Sequence, residues 1–264
     1  MVGYGKMGAA LLSQWQAAAG RPDADHQFTV IDPAVDPAAA SPFPAVTFVQ
    51  QPPAPDACAF DLVIVAVKPQ LVDAVLPLYA DRLAQGGFVA SIAAGCSLAR
   101  LRALAGGVPV VRIMPNLPAA IGAGVSGLCA DPTATPEQRA AVQQLAEAVG
   151  TAVWVADEDQ LDRLTAVAGS GPGYGFEIAR SYVAAAQAIG FDAATAKQLV
   201  LGTLAGTIEM AKQSPLELDA LRTSVTSKNG TTAAGLAALN GDGTLDQLLQ
   251  ATLDAAYARA VELR

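Results

Sequence analysis

The chain has 264 residues, and 52% of them are hydrophobic, which is enough material for one large or two modest buried cores. Its formal net charge of -8 gives a long-range field that repels nucleic acid and anionic membranes. Composition therefore excludes a disordered chain and a nucleic-acid-binding protein, and it leaves small molecules or other protein subunits as expected partners.

Cysteine and histidine are too scarce for the common metal and nucleophilic sites. Cys58, Cys96 and Cys129 lie apart in the sequence and predict buried apolar side chains in a reducing compartment. His26 is the only histidine and predicts a surface residue, which excludes a Ser-His-Asp or Cys-His arrangement unless His26 serves it. We expect no metal, no membrane span and no secretory signal, and hence a cytoplasmic protein.

A glycine pattern typical of dinucleotide-binding proteins opens the chain. Gly3, Gly5 and Gly8 precede a helix-like segment at the spacing that gives a tight turn, close approach to a pyrophosphate and close helix packing. Such a pattern is weak evidence alone. Because only Met1 and Val2 precede the first glycine, we expect a stunted first strand or a truncated start.

Asp32 adds support for this site. It ends the β-branched run 28–31 and lies 24 residues after Gly8, where a carboxylate binds a ribose 2′-hydroxyl. An acid repels a 2′-phosphate, and no Lys or Arg lies between Arg21 and Lys68, so the sequence favours NADH over NADPH. The alternative is a turn residue before a proline.

Strand-like and helix-like segments alternate through the first half. Strands are predicted at 60–67, 87–94, 109–114, 125–129 and 151–155, and helices at 9–19, 72–84, 98–104 and 136–148. This order predicts an α/β fold with a Rossmann-like, doubly wound, largely parallel sheet, while 33–55 is expected to be irregular. Lys68 follows a strand at the sheet's carboxyl edge and is a candidate for binding a cofactor hydroxyl or phosphate.

Helical segments alone fill the second half. They are predicted at 161–189, with a break at 169–172, and at 193–212, 215–223 and 245–263. Asp192 and Ser214 are the expected N-caps. We therefore expect a dinucleotide-binding domain at 1–158 and an all-α substrate-binding and dimerisation domain at 159–264, whose excess of apolar residues predicts a homodimer.

The loop 225–232 lies between two of these helical segments. Its hydroxyls and glycine could surround a small anion with N–H and O–H groups. The alternative is an ordinary capping loop, with Asn229-Gly230 as a left-handed turn and Thr231 or Thr232 as an N-cap.

Six motifs, in the right order, resemble those of the pyrroline-5-carboxylate reductase family, and the resemblance runs nearly end to end. They are Gly-Tyr-Gly-Lys-Met-Gly at 3–8, Val-Ala-Val-Lys-Pro-Gln at 65–70, Ser-Ile-Ala-Ala-Gly at 91–95, Arg-Ile-Met-Pro-Asn at 112–116 followed by Pro118-Ala119, Ala-Val-Ala-Gly-Ser-Gly-Pro at 166–172 followed by Tyr174, and the loop 225–232. Three departures stand out: Lys228-Asn229 replaces Pro-Gly in the loop, Ala168 replaces a serine, and the first strand is short. Asn229 tolerates the left-handed turn, whereas Lys228 adds a cation and the lost proline puts the rigidity of the loop in doubt.

The resemblance implies reduction of L-1-pyrroline-5-carboxylate, a cyclic imine, to L-proline by hydride from NAD(P)H, the last step of proline biosynthesis. It implies that Thr232 bonds the substrate nitrogen as the catalytic residue, and that Ser227, Gly230 and Thr231 hold the carboxylate. Met114 would border the nicotinamide, and the implied cofactor-binding residues, together with Asp32, are Gly3, Gly5, Lys6, Met7, Gly8, Ala66, Val67, Lys68, Pro69, Ala93, Ala94, Gly95, Pro115 and Asn116.

Two alternatives stay open at this point. One is another imine reductase or a β-hydroxyacid dehydrogenase of the same architecture; the latter type uses a lysine acid in its helical domain, and Lys197, Lys212 and Lys228 lie in no matching motif. The other is a nucleotide-binding protein without turnover, because fold alone does not fix function.

Overall fold

The computed structural model of the chain describes residues 1–19, 27–36, 43, 45–55 and 59–264. His26 and Cys58 lie outside the described residues. The strands are β1 Phe28–Ile31, β2 Val46–Val49, β3 Phe60–Val65, β4 Leu83–Ser91, β5 Val110–Met114, β6 Gly124–Ala130 and β7 Gly150–Trp154. The α-helices are α1 Lys6–Ala19, α2 Val72–Val75, α3 Leu98–Leu104, α4 Pro136–Glu147, α5 Glu158–Leu164, α6 Gly171–Ala188, α7 Ala193–Gln213, α8 Leu218–Ser224, α9 Thr231–Asn240 and α10 Thr244–Glu262. Within this described part, no helix has both the length and the apolar content needed to cross a bilayer.

The sheet is largely parallel, as predicted. β1 pairs with β2, and a second ladder has the order β3-β4-β5-β6-β7, in which only the β5–β6 pairing is antiparallel. Val2 joins the two ladders through parallel bridges to Ile31 and Val65. Val2 therefore occupies the position of a first strand between the two ladders, and it leads directly into the glycine turn.

Helices cover both faces of this sheet. Ile64, Ala90 and Val111 lie in one buried cluster with residues of α1 and α4, whereas Val65 and Val89 lie in another with residues of α2 and α3. Side chains alternate between the faces of a strand, so neighbouring residues of one strand enter different clusters. The predicted doubly wound arrangement is confirmed, and Cys96 and Cys129 are buried and free, as expected.

Two segments of the first half differ from their predictions. The helix predicted at 72–84 is the single turn α2 followed by a 3-10 helix, Leu76–Arg82, because Pro77 has no N–H to donate to an α-helical hydrogen bond. The connection predicted at 33–55 contains β2, which pairs in parallel with β1. Prolines on both sides of this four-residue strand obscured it.

The chain packs as two compact units. Met1–Ser170 and Ala256–Arg264 form unit 1, and Gly171–Ala255 forms unit 2. The predicted break after 169 is observed, since a π-helical turn, Thr165–Gly169, ends just before α6 begins. The division into functional domains at residue 158 is a separate prediction, and the packing does not test it.

Helix capping in unit 2 follows one prediction and departs from another. Asp192 caps α7 by accepting the N–H groups of Ala194 and Thr195, both at 3.0 Å. Ser214 is not an N-cap: its N–H still donates to the carbonyl of Met210, so it ends α7, and α8 begins later, after Glu217. The Ser214 hydroxyl accepts the N–H of Leu216 at 3.1 Å and tightens the intervening turn.

Candidate active site

The three glycines of the opening turn differ in what surrounds them. Gly3 has a φ of +95°, and a Cβ there would lie 2.7 Å from the carbonyl oxygen of Ala66. A Cβ on Gly8 would lie 3.0 Å from the Gly3 oxygen, so glycine lets α1 pack closely on the turn. A Cβ on Gly5 would meet nothing within 4 Å. The backbone at Gly5 therefore faces open space beside the start of α1, where unpaired helical N–H groups and the helix dipole favour phosphate.

Asp32 is attached to this turn. One carboxylate oxygen accepts the N–H of Tyr4 at 2.7 Å, and the other accepts the N–H of Ala34 at 2.8 Å. The predicted ribose-binding acid is thus also a structural residue that fixes the glycine turn to the end of β1. A carboxylate has about four lone-pair positions, so each oxygen can accept a further hydrogen bond.

The other predicted cofactor segments leave the same edge of the sheet. β3 and β4 run parallel with Val65 opposite Ser91, so the segments 66–69 and 93–95 emerge side by side. Lys68 is exposed there, ahead of a short 3-10 helix. The structure places Lys6 and Met7 in the first turn of α1, Ala66, Val67, Lys68 and Pro69 after β3, Ala93, Ala94 and Gly95 after β4, and Pro115 and Asn116 after β5.

Asn116 is a buried cross-link as well as a predicted cofactor residue. Its amide nitrogen donates to the carbonyl of Ala168 at 2.9 Å, and its amide oxygen accepts the N–H of Val125 at 2.9 Å. It therefore ties the end of β5 to β6 and to the π-helical turn. Such turns occur often at functional sites.

Sequence reasoning missed an ion pair near this edge that involves a buried arginine. Arg112, only 2% exposed, donates to Glu158 at 2.6 Å, and the same carboxylate oxygen accepts the N–H of Leu98 at 2.8 Å. Glu158 thus connects β5 and the start of α3 to α5. In sequence, Glu158 only follows the N-cap Asp157 and is typical of an acid that complements a helix dipole, so no local signal indicates its partners.

Unit 2 presents the predicted substrate loop at the start of α9. Asn229 has a φ of +59°, so the left-handed turn predicted there is confirmed. In the part of the chain that the structure describes, no side chain caps α9, and the first N–H groups of a helix have no partner within it. The hydroxyl-bearing residues Ser227, Thr231 and Thr232 are all exposed. Backbone and side-chain donors therefore lie together at a helix N-terminus, which is an arrangement that binds anions.

Gly230 determines the shape of this loop. It is the N-cap of α9, the role that the alternative interpretation of the loop gave to Thr231 or Thr232. The turn closed by its N–H and the Ser227 carbonyl at 3.0 Å makes Thr231 the first helical residue. A Cβ on Gly230 would overlap the Ser227 hydroxyl. Glycine is therefore what allows that hydroxyl to pack against the loop backbone.

Comparison with known proteins identifies the family. The pyrroline-5-carboxylate reductase of Pseudomonas aeruginosa is 41% identical over 204 residues, which cover 77% of this chain and 74% of that protein. This chain belongs to the pyrroline-5-carboxylate reductase family. The family's enzyme from Haemophilus influenzae is 40% identical over 203 residues, covering 73% of each chain.

Solved structures and family models agree with this assignment. A pyrroline-5-carboxylate reductase from Coxiella burnetii has a TM-score of 0.89 and 30% identity, covering 99% of this chain and 96% of that chain. The pyrroline carboxylate reductase of Plasmodium falciparum, solved with NADP bound, covers 99% and 96%, and with a TM-score of 0.81 at 24% identity it supports the fold alone.

Two family models match separate parts of the chain. Residues 158–263 match the model for pyrroline-5-carboxylate reductase dimerisation, and residues 1–95 match the model for coenzyme F420-dependent NADP oxidoreductases. The predicted family and fold class are confirmed, the dimerisation model supports the predicted homo-oligomer, and the chain is an oxidoreductase.

Proposed function

We propose that this reductase converts L-1-pyrroline-5-carboxylate to L-proline by taking hydride from NADH or NADPH. The observation that carries the proposal is the uncapped start of α9, where exposed hydroxyls and free helical N–H groups lie together. That donor set suits a small carboxylate and a neighbouring nitrogen.

The cofactor half of the proposal rests on unit 1. The open space at Gly5, the N-terminus of α1 and the carboxylate of Asp32 fit a pyrophosphate followed by a ribose. Lys68 and the segments after β3, β4 and β5 would line the rest of the dinucleotide. When bound, the reduced nicotinamide supplies the hydride.

The substrate half rests on unit 2. Ser227, Gly230 and Thr231 would hold the carboxylate through N–H and O–H groups, and the Thr232 hydroxyl would bond the ring nitrogen. Hydride adds to the carbon of the C=N bond, and the electron pair of that bond moves to nitrogen. Because a protonated imine already carries the proton that its nitrogen keeps, the chain needs no strong acid, and orientation supplies most of the acceleration.

Three finer assignments complete the proposal. Residues 1–158 would bind the dinucleotide, and residues 159–264 would bind the substrate and form the subunit interface. Asp32 would favour NADH, since its charge repels a 2′-phosphate. Lys228, exposed beside the predicted carboxylate site, would add to its attraction for anions.

The test is turnover against a substrate panel. Purified protein is assayed for oxidation of NADH and NADPH with pyrroline-5-carboxylate and with cyclic imines that lack the carboxylate. It is also assayed for reduction of NAD+ and NADP+ with β-hydroxyacids. We expect pyrroline-5-carboxylate to have the highest kcat/KM. Preference for a β-hydroxyacid, or cofactor binding without turnover on any substrate, would contradict the proposal.

A further inference from the structure

The segment 256–264, which includes the end of α10, packs with unit 1, whereas the earlier residues of α10 belong to unit 2. Arg264 donates to Asp162 through Nε and to Asp159 at 3.1 Å through its second amino group. Asp162 is only 4% exposed. A buried carboxylate is costly unless it is paired, so this contact fixes Arg264 against α5.

Tyr257 makes the second attachment of this segment. Its hydroxyl donates to Asp159 at 2.6 Å, and the Arg163 guanidinium stacks on its ring at 4.8 Å. The hydroxyl of Tyr257, followed by Arg163, holds the pKa of Asp159 down to about 2, so this carboxylate is ionised at neutral pH. The segment 256–264 is therefore joined to α5 at both of its ends.

Between these two attachments the segment contacts a residue of the proposed cofactor site. Gly95 has a φ of +70°, and a Cβ there would overlap the carbonyl oxygen of Leu263. From the other side, Glu158 of α5 accepts the N–H of Leu98, three residues after Gly95. Helix α5 thus holds both the start of α3 and the segment that lies on Gly95.

From these contacts we infer that Arg264 is a positioning residue for the dinucleotide, acting through the Leu263 carbonyl on Gly95. The inference uses the proposed assignment of 93–95 to the cofactor, and it adds a residue that no motif of this chain includes. With Arg264 attached to α5, the backbone after β4 is held in the left-handed turn at Gly95. Without that attachment, the turn is free to move and binds the cofactor less well.

The first experiment compares R264A with R259A, a matched control in the same segment 256–264. Arg259 pairs with Glu262 three residues later, and both side chains are exposed. NADH and NADPH affinities are measured by fluorescence titration without substrate, and KM and kcat for each cofactor by steady-state kinetics. We expect R264A to raise the cofactor Kd and KM about tenfold, as for a lost hydrogen bond between charged groups. R259A should stay within about twofold of wild type, and kcat should change little in either variant.

Two further variants separate positioning from loss of folding. R264K keeps a charge beside Asp162 and should recover part of the affinity, although it cannot bridge both carboxylates. The double variant D162N/R264A removes the buried charge that R264A leaves unpaired, and it should fold yet bind cofactor as weakly as R264A. Equal cofactor affinity in R264A, D162N/R264A and R259A would overturn the inference. Because titration needs no turnover, this outcome is distinct from failure of the wild type to reduce pyrroline-5-carboxylate.

Discussion

At the scale of single residues, Gly5 allows a test of cofactor binding that does not disturb the fold, unlike Gly3 and Gly8, where a Cβ would meet backbone atoms. Since a Cβ on Gly5 would meet no atom of the described residues within 4 Å beyond its chain neighbours, G5A should fold with unchanged thermal stability. The added methyl would occupy the space proposed for the pyrophosphate and raise the cofactor Kd by about tenfold or more. Unfolding temperature and fluorescence titration check the two halves of this prediction. Unchanged affinity would place the pyrophosphate elsewhere.

Asp32 has two roles in this account, and two variants distinguish them. D32N removes the charge but keeps one acceptor oxygen for the glycine turn, whereas D32S removes the carboxylate entirely. If charge sets cofactor choice, D32N should move the ratio of kcat/KM for NADPH over NADH upward by about tenfold. D32S should also lose affinity for both cofactors, because Tyr4 loses its acceptor. A ratio unchanged in D32N would leave Asp32 as a purely structural residue.

Thr232 is the residue proposed to bond the substrate nitrogen. T232A should lower kcat by about tenfold to a hundredfold, because the hydrogen bond orients the imine in the transition state. T252A is a matched control, since the Thr252 hydroxyl already donates to the Leu248 carbonyl within α10. Steady-state kinetics with both variants test this role. A normal kcat in T232A would show that the Thr232 hydroxyl does not take part in the mechanism.

Sequence patterns indicate where the site residues lie along the chain better than they indicate which contacts those residues make. The glycine spacing and Asp32 indicated a nucleotide site, but they gave no sign that the carboxylate would also bind Tyr4. Asn116 was predicted only as a cofactor residue, whereas its amide links Val125 and Ala168. Side-chain partners far apart in sequence depend on the packing of whole elements, and a local pattern holds no information about that packing.

At the scale of elements, the start of α9 gives a matched pair of glycines. G230A would place a methyl where the Ser227 hydroxyl lies, so we expect the loop to distort and the KM for pyrroline-5-carboxylate to rise about tenfold. Gly235, within the same helix, has nothing within 4 Å of a Cβ, so G235A should stabilise the protein by about 0.5–1 kcal/mol and leave KM unchanged. Kinetics and thermal unfolding of both variants test this prediction. Equal KM values in the two variants would show that Gly230 does not shape the substrate site.

Most helices and strands could be predicted from the sequence, because apolar periodicity and caps such as Asp192 are local signals. The segments that were predicted wrongly also have local causes. Pro77 converts a predicted helix into a 3-10 segment, and β2 is too short and too closely flanked by prolines to be recognised. Ser214 precedes a proline and has an N-cap pattern, but its backbone still belongs to the preceding helix.

At the scale of the whole molecule, unit 2 leaves many large apolar side chains exposed. Phe176 is 65% exposed and Ile208 is 60% exposed, which a homodimer interface would explain. F176E/I208E should therefore sediment as a monomer, since two buried charges per subunit oppose association. L71E, at an apolar residue of unit 1 that is 50% exposed, should stay dimeric. Analytical ultracentrifugation distinguishes these outcomes, and a dimeric F176E/I208E would place the interface elsewhere.

The largely parallel, doubly wound sheet and the change to helices could be predicted from the succession of strand-like and helix-like segments. The return of the segment 256–264 to unit 1 could not, because it depends on Asp159, Asp162 and Tyr257, whose partners lie about a hundred residues away. From the sequence, self-association could be predicted only because the helical half contains more apolar residues than its core needs. The dimerisation family model supports that expectation.

The most direct test of the central claim follows the hydride itself. The protein is incubated with pyrroline-5-carboxylate and with NADH or NADPH that carries deuterium on both sides of C4, and the product is examined by mass spectrometry and NMR. The account predicts L-proline with a single deuterium at C5 and a matching amount of oxidised cofactor. Bound cofactor with no labelled proline would contradict it.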